Sequence, residues 1–323
     1  MRQTDFTYAV ARVRYKETKL LTDNDLDTML RCHDADAVLR FLKDRGWGDS
    51  SEDETVDELL DKELERTWEF AFESVDDHEA LNFLLIPNDF HNAKVAVKCI
   101  TRDIEPEGIM LRQAVFAPDT LYESVRLHDY DRLPDYLRGC VREALHTLLQ
   151  TSDGQLCDVI IDRACLMTVY QLGRESGVDI IERYCELYVA SSDIKIAVRS
   201  AKTGKSADFL RRALAPCDTL NIDKLITAAT AGVDEVIDYL RETVYRTATD
   251  ALSVSLSAFE KWCDDTITDA LRPQKWEPFS IGPIVAYILA RENELKAARM
   301  ILLSKLNALD DDIIKERLRS MYV

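Results

Sequence analysis

Glycine and proline are scarce in this chain of 323 residues, at 10 and 8 copies. Strand-and-turn architectures need such breakers in quantity, so their shortage weighs against a sandwich or barrel of short strands. Positive charge is also in deficit: 41 lysines and arginines face 59 aspartates and glutamates, a net charge of −18. A phosphate backbone is held by clustered cations, and this field repels it, so nucleic acid is excluded as a partner. No apolar run approaches the roughly 20 residues needed to cross a bilayer; segments such as PIVAYILA fall far short. The opening MRQTDFTYAV lacks the apolar stretch of a signal peptide. The expected location is the cytosol, or a membrane surface met without crossing it.

Cysteine is present in 8 copies but without pattern. No pair is closer than Cys157 and Cys165 and no C-x-x-C occurs, so buried free thiols in a reducing compartment are expected. Catalytic motifs are missing as well. Thr203-Gly204-Lys205-Ser206 ends like a phosphate-binding loop, but the glycine required five residues before Gly204 is Arg199, and the segment reads as a helix end. His78-Glu79 opens like a zinc motif whose second histidine is Asn82. The five histidines form no spaced ligand set, and G-x-S-x-G and G-x-G-x-x-G do not occur. No catalytic, cofactor-binding or metal-binding residue is assigned, and no cofactor is expected.

What the chain does contain is helical periodicity. Ile284, Ile288, Leu295, Ala298, Leu302 and Leu306 step by three, four or seven along one predicted helix stripe. Glu292 and Lys296 stand four apart on it, in the order that favours an ion pair. Ser51 with Glu54 and Thr120 with Glu123 have the spacing of capping boxes. Period-two alternation is rare, so the fold class predicted is all-α.

The chain also repeats itself. Lys94, Lys195 and Lys296 are 101 residues apart in each step, within HNAKVAVKCI, SDIKIAVRSA and NELKAARMIL. In each, a polar or acidic residue stands two before the lysine, and an apolar run with alanine follows. Asp27-Thr28, Asp119-Thr120 and Asp218-Thr219 precede them in the same order, each followed by a stretch ending in Phe-Leu or Tyr-Leu. These spacings predict three helical units of about a hundred residues, over 1–118, 119–216 and 217–323. Ala117-Pro118 and Ala215-Pro216 read as joints, with the Asp-Thr pairs after them placed to cap the next helix. Between Asp49 and Glu65 nine acids and one lysine predict an acidic helical face. Arg2, Arg12, Arg14, Lys16 and Lys19 form a basic counterpart at the start, suited to a solvated face, an anionic lipid or an acidic partner.

Pro87-Asn88-Asp89-Phe90-His91-Asn92-Ala93-Lys94 reads as a breaker-led cluster opening an apolar helix, with Asn88 or Asp89 as cap and Asn92 and Lys94 pointing outward. That string, with YAVARVRYKETKLLT near the start and GPIVAYILARENELKAARMILLSKLNALDDDIIKERLRSMYV at the end, resembles the C subunit of archaeal and bacterial V-type (A-type) rotary ATPases, whose eukaryotic relative is the d subunit. The resemblance runs from end to end and is most specific at Asn88–Lys94 and Glu292–Arg299. It implies three similar helical domains forming a pseudo-threefold funnel. It also implies a non-catalytic central-stalk subunit whose partners are the central shaft subunits and the membrane rotor ring, peripheral on the cytoplasmic face and membrane-associated only through other subunits. Asn88, Asp89, Asn92, Lys94, Asp193, Lys195, Glu292 and Lys296 are the partner-interface candidates. The middle unit has no ND-x-x-N string, so that role attaches to the first unit alone. A generic helical scaffold unrelated to rotary ATPases, and an all-α enzyme outside the motifs above, are the alternatives.

Overall fold

A computed structural model of the chain describes residues 6–49 and 55–323. Among these there are sixteen α-helices and no strand. In order they are α1 (Thr7–Glu17), α2 (Asp23–Leu30), α3 (Ala35–Asp44), α4 (Val56–Ser74), α5 (Asn82–Arg102), α6 (Pro118–Arg126), α7 (Asp135–Thr151) and α8 (Gly154–Ser176). They continue as α9 (Asp179–Thr203), α10 (Ala207–Ala213), α11 (Ile222–Ala231), α12 (Val233–Arg241), α13 (Thr249–Val254), α14 (Leu256–Leu271), α15 (Gly282–Leu306) and α16 (Asp311–Arg317).

Two compact units emerge. One joins the chain's ends, Met1–His78 with Val254–Val323; the other is Glu79–Ser253. In the first, α15 packs on α1, α2, α3 and α4. Leu21, Met29, Val38, Leu42, Leu59, Ile301 and Leu302 meet in one core. The sequence predicted one apolar stripe on α15, but 16 of its 25 residues are buried, from Gly282 through Ile288 without a break. A helix enclosed on nearly all sides needs no polar face, so the period fades. Leu306, the last residue of the predicted stripe, is exposed because α15 ends there.

In the second unit α8 packs between α7 and α9 and also meets α5. Gly173 lets α8 and α9 approach closely: a Cβ there would lie 2.6 Å from Cys185 Cβ. Gly173→Ala is therefore expected to lower stability by about 1–2 kcal/mol, the cost of overpacking less the gain in helix propensity. Gly139→Ala on α7, where nothing lies within 4 Å of the added atom, is expected to raise stability by up to about 1 kcal/mol. Urea midpoints of the two variants check the contrast.

Helix starts follow side-chain capping, at other positions than expected in part. Thr22 with Asp25 and Thr55 with Glu58 close true capping boxes. Ser51 and Glu54 lie outside the described residues. Thr120 and Glu123 do not cap: Pro118 starts α6 at its first turn, and Glu123 pairs with Arg126 instead. The Asp-Thr pairs occupy different places, inside α2, in the first turn of α6, and in the linker before α11, which Asn221 caps. All eight cysteines are free thiols, five of them buried. No helix among the described residues is long and apolar enough to cross a membrane.

Candidate functional site

The string Asn88–Lys94 lies in the middle of α5, not at its start, because the helix begins at Asn82 and runs through Pro87. Asn88, Asp89 and Asn92 share the helix side that meets the segment leading into α6. Asn88 donates to the Gln113 carbonyl at 2.6 Å. Asn92 is fully buried, donates to the Leu111 carbonyl at 2.9 Å and accepts the Leu111 N–H at 2.8 Å. Asp89, also fully buried, accepts from the backbone of Val115 at 3.0 Å and Phe116 at 3.1 Å. The Tyr136 hydroxyl of α7 donates to its other oxygen at 2.5 Å. Burial raises the Asp89 carboxyl above the usual range although those three donors pull the other way. Asn92 thus turns inward, against expectation, because an irregular segment passing a helix leaves backbone groups that water cannot reach. Lys94 is half-buried and pairs with Asp162 of α8 at 2.6 Å.

The same position carries the same task on the other two lysine-bearing helices. On α9, Asp193 stands two before Lys195, is fully buried, and accepts the Ala215 N–H at 3.1 Å. On α15, Glu294 stands two before Lys296, is buried, and accepts the Leu21 N–H. Each polar group receives the backbone of a segment that enters the short helices α6, α11 or α2. The lysines are less uniform: Lys195 is half-buried and Lys296 exposed. Glu292 is half-buried, and burial raises its carboxyl while Lys296 pulls it down. The two do not close to the expected ion pair, since Lys296 extends into solvent. Of the interface candidates, then, Asp89, Asn92 and Asp193 face the interior, and Asn88, Lys94, Lys195, Glu292 and Lys296 retain surface.

Sequence reasoning missed a buried polar cluster. Arg291 of α15 bonds Glu63 of α4 at 2.6 Å and Glu294 at 2.6 Å, all three under 10% exposed, with its guanidinium 4.7 Å over Trp47. Glu63 also accepts the Gly48 N–H at 2.9 Å and pairs with Arg66 at 2.6 Å. Glu63 belongs to the run read as an acidic face, yet it is one of the buried residues of α4. The signal for this cluster was the recurrent polar position before each lysine, which includes Glu294. The basic start of the chain is likewise engaged within its own unit: Arg12 pairs with Glu73 at 2.8 Å and Arg14 with Glu17 at 2.8 Å. Arg2 lies outside the described residues.

Gly204-Lys205-Ser206 is a helix junction. Gly204 ends α9 with φ of 63°, Ser206 caps α10, and Lys205 donates to Gln155 at 2.6 Å. Among the described residues no group of three or more His, Cys, Asp or Glu could hold a metal ion.

The sequence family described as ATP synthase (C/AC39) subunit matches residues 9–317. The chain belongs to this family. It is similar to the C subunit of the V-type sodium ATPase of Enterococcus hirae, 20% identical over 96% of this chain and 97% of that protein. It is also similar to the C subunit of the A-type ATP synthase of Desulfurococcus sp., 24% identical over 97% of this chain and 90% of the relative. The equivalent A-type ATP synthase protein of Methanosarcina acetivorans is 24% identical, with 98% and 93% covered. As the C subunit of a V/A-type ATPase, the chain is a structural, non-catalytic component. Asn88, Asp89, Asn92, Asp193 and Glu294 fit that role, since each holds the protein's own backbone.

Proposed function

We propose that this protein couples the central shaft of a V/A-type rotary ATPase to its membrane rotor ring during ATP-driven ion transport or ATP synthesis. The observation that carries the reading is the family match along 9–317, joined to the threefold recurrence of one clamp. Asn92, Asp193 and Glu294 each tie an incoming segment to a long helix. A torque adaptor has to be stiff, and a clamp that removes backbone freedom at each joint contributes stiffness. The recurrence also supports reading the chain as three related units, over 1–118, 119–216 and 217–323. The protein would then sit on the cytoplasmic face, held to the membrane by its partners, with Lys195, Glu292 and Lys296 among the groups available to them.

The test is a reconstituted ATPase assembled with and without the full-length chain, with phosphate release and ion uptake measured on the same vesicles. Without the chain, hydrolysis is expected to persist while uptake per ATP falls at least tenfold, and adding the chain back restores it. Equal uptake per ATP in both preparations would transfer the coupling role to another component of the complex.

A further inference from the structure

Asp193 lies in the middle of α9 with none of its surface exposed. Its Oδ1 accepts the Ala215 N–H at 3.1 Å, and its Oδ2 has no hydrogen-bond partner. The charged and titratable groups that face it are few. Arg163 of α8 is the cation, but its Nε donates to the Leu214 carbonyl at 3.0 Å. Glu186 faces it from its own helix with like charge, and Cys217 faces it from the linker. An ionised carboxylate in this place would be a buried charge with one neutral hydrogen bond and no ion pair, an arrangement that proteins avoid by keeping the proton.

The matching position on α5 shows what the site requires. Asn92 is neutral, and it both accepts the Leu111 N–H and donates to the Leu111 carbonyl. We propose that Asp193 is held as the neutral acid, its carboxyl oxygen accepting the Ala215 N–H as the Asn92 amide oxygen accepts that of Leu111, and that its ionisation loosens the Leu214–Thr219 linker from α9. The linker is then a latch that is tight in acid and slack in base. Its other ties do not share this chemistry: Glu186 accepts the Asp218 and Thr219 N–H groups at 3.2 and 2.8 Å, and Arg174 pairs with Asp218 at 2.7 Å.

The direction follows from proton linkage. Burial pushes the Asp193 carboxyl up to about 8, with Ala215 and then Arg163 pulling back. In an opened linker the group returns to about 4. The closed state therefore holds a proton that the open state releases between those values. Opening becomes about tenfold more favourable per pH unit across that window and levels off above it.

Hydrogen exchange of the Ala215 and Cys217–Leu220 amides on the full chain, corrected for intrinsic rates, tests this between pH 5 and 7.5. Wild-type protection is expected to fall about tenfold per pH unit, and Asp193→Asn is expected to hold it constant. The Asp193 carboxyl carbon is expected to titrate near 8 by NMR. A flat wild-type profile, an equal slope in the variant, or a carboxyl resonance titrating near 4 would each overturn the latch. If Asp193→Asn does not fold, as judged by circular dichroism at pH 5, the wild-type carboxyl titration alone decides.

Discussion

Arg291→Met is expected to destabilise the unit containing both chain ends by about 3–5 kcal/mol, as breaking a buried ion pair from one side does. The guanidinium is the cation bonded to two buried carboxylates, Glu63 and Glu294. Methionine fills similar volume but leaves those carboxylates to repel each other or to take up protons. Arg66 still reaches Glu63, so the uncompensated group is Glu294. Burial already raises that carboxyl to about 7 against the pull of Arg291, and without the cation it is expected to rise further. The measurement is unusually local. Trp47, Trp68, Trp262 and Trp276 are the chain's four tryptophans, and all lie in this unit. The urea midpoint followed by tryptophan fluorescence should therefore drop. Adding Glu294→Gln to Arg291→Met should recover part of the loss, because a neutral amide still accepts the Leu21 N–H. A fluorescence midpoint unmoved by Arg291→Met would mean that the cluster contributes no net stability.

Asp89→Ala should have the next largest effect, in the other unit. It strands three donors at once, the N–H groups of Val115 and Phe116 and the Tyr136 hydroxyl. A buried polar group without a partner costs about 1–3 kcal/mol, and partial access of the segment to water reduces the sum to roughly 3–5 kcal/mol. Asp89→Asn retains an acceptor oxygen and should lose less than half as much. The unit Glu79–Ser253 has no tryptophan, so the loss should show in helical circular dichroism at 222 nm and leave the fluorescence midpoint in place. A matched shift of both signals would mean that the two units unfold together.

Much of this was legible in the chain itself. Scarce glycine and proline and the three- and four-residue spacing of apolar side chains reflect the local geometry of helices, which is why the all-α class could be read without coordinates. The lysine repeat was legible for the same reason: a residue's place along a helix is a property of sequence distance. The misreadings share a cause. Asn88 and Asp89 have the composition of a cap and Asn92 that of an outward-facing polar residue, yet all three bind a segment 19 to 27 residues further on. Glu63 has the composition of a solvated face but meets Arg291, 228 residues away.

Sequence alone determined that the chain is helical, has no complete G-x-x-x-x-G-K-S, H-E-x-x-H, G-x-S-x-G or G-x-G-x-x-G, and writes a polar residue two positions before each of Lys94, Lys195 and Lys296. Periodicity, caps and breakers act over one or two helical turns, so neighbouring residues suffice to specify them. Only the tertiary structure decided what those polar residues do. Whether Asn92, Asp193 or Glu294 meets water or a backbone N–H depends on which distant segment is packed over it. In an apolar interior that difference settles both the hydrogen bond and, for the acids, the charge.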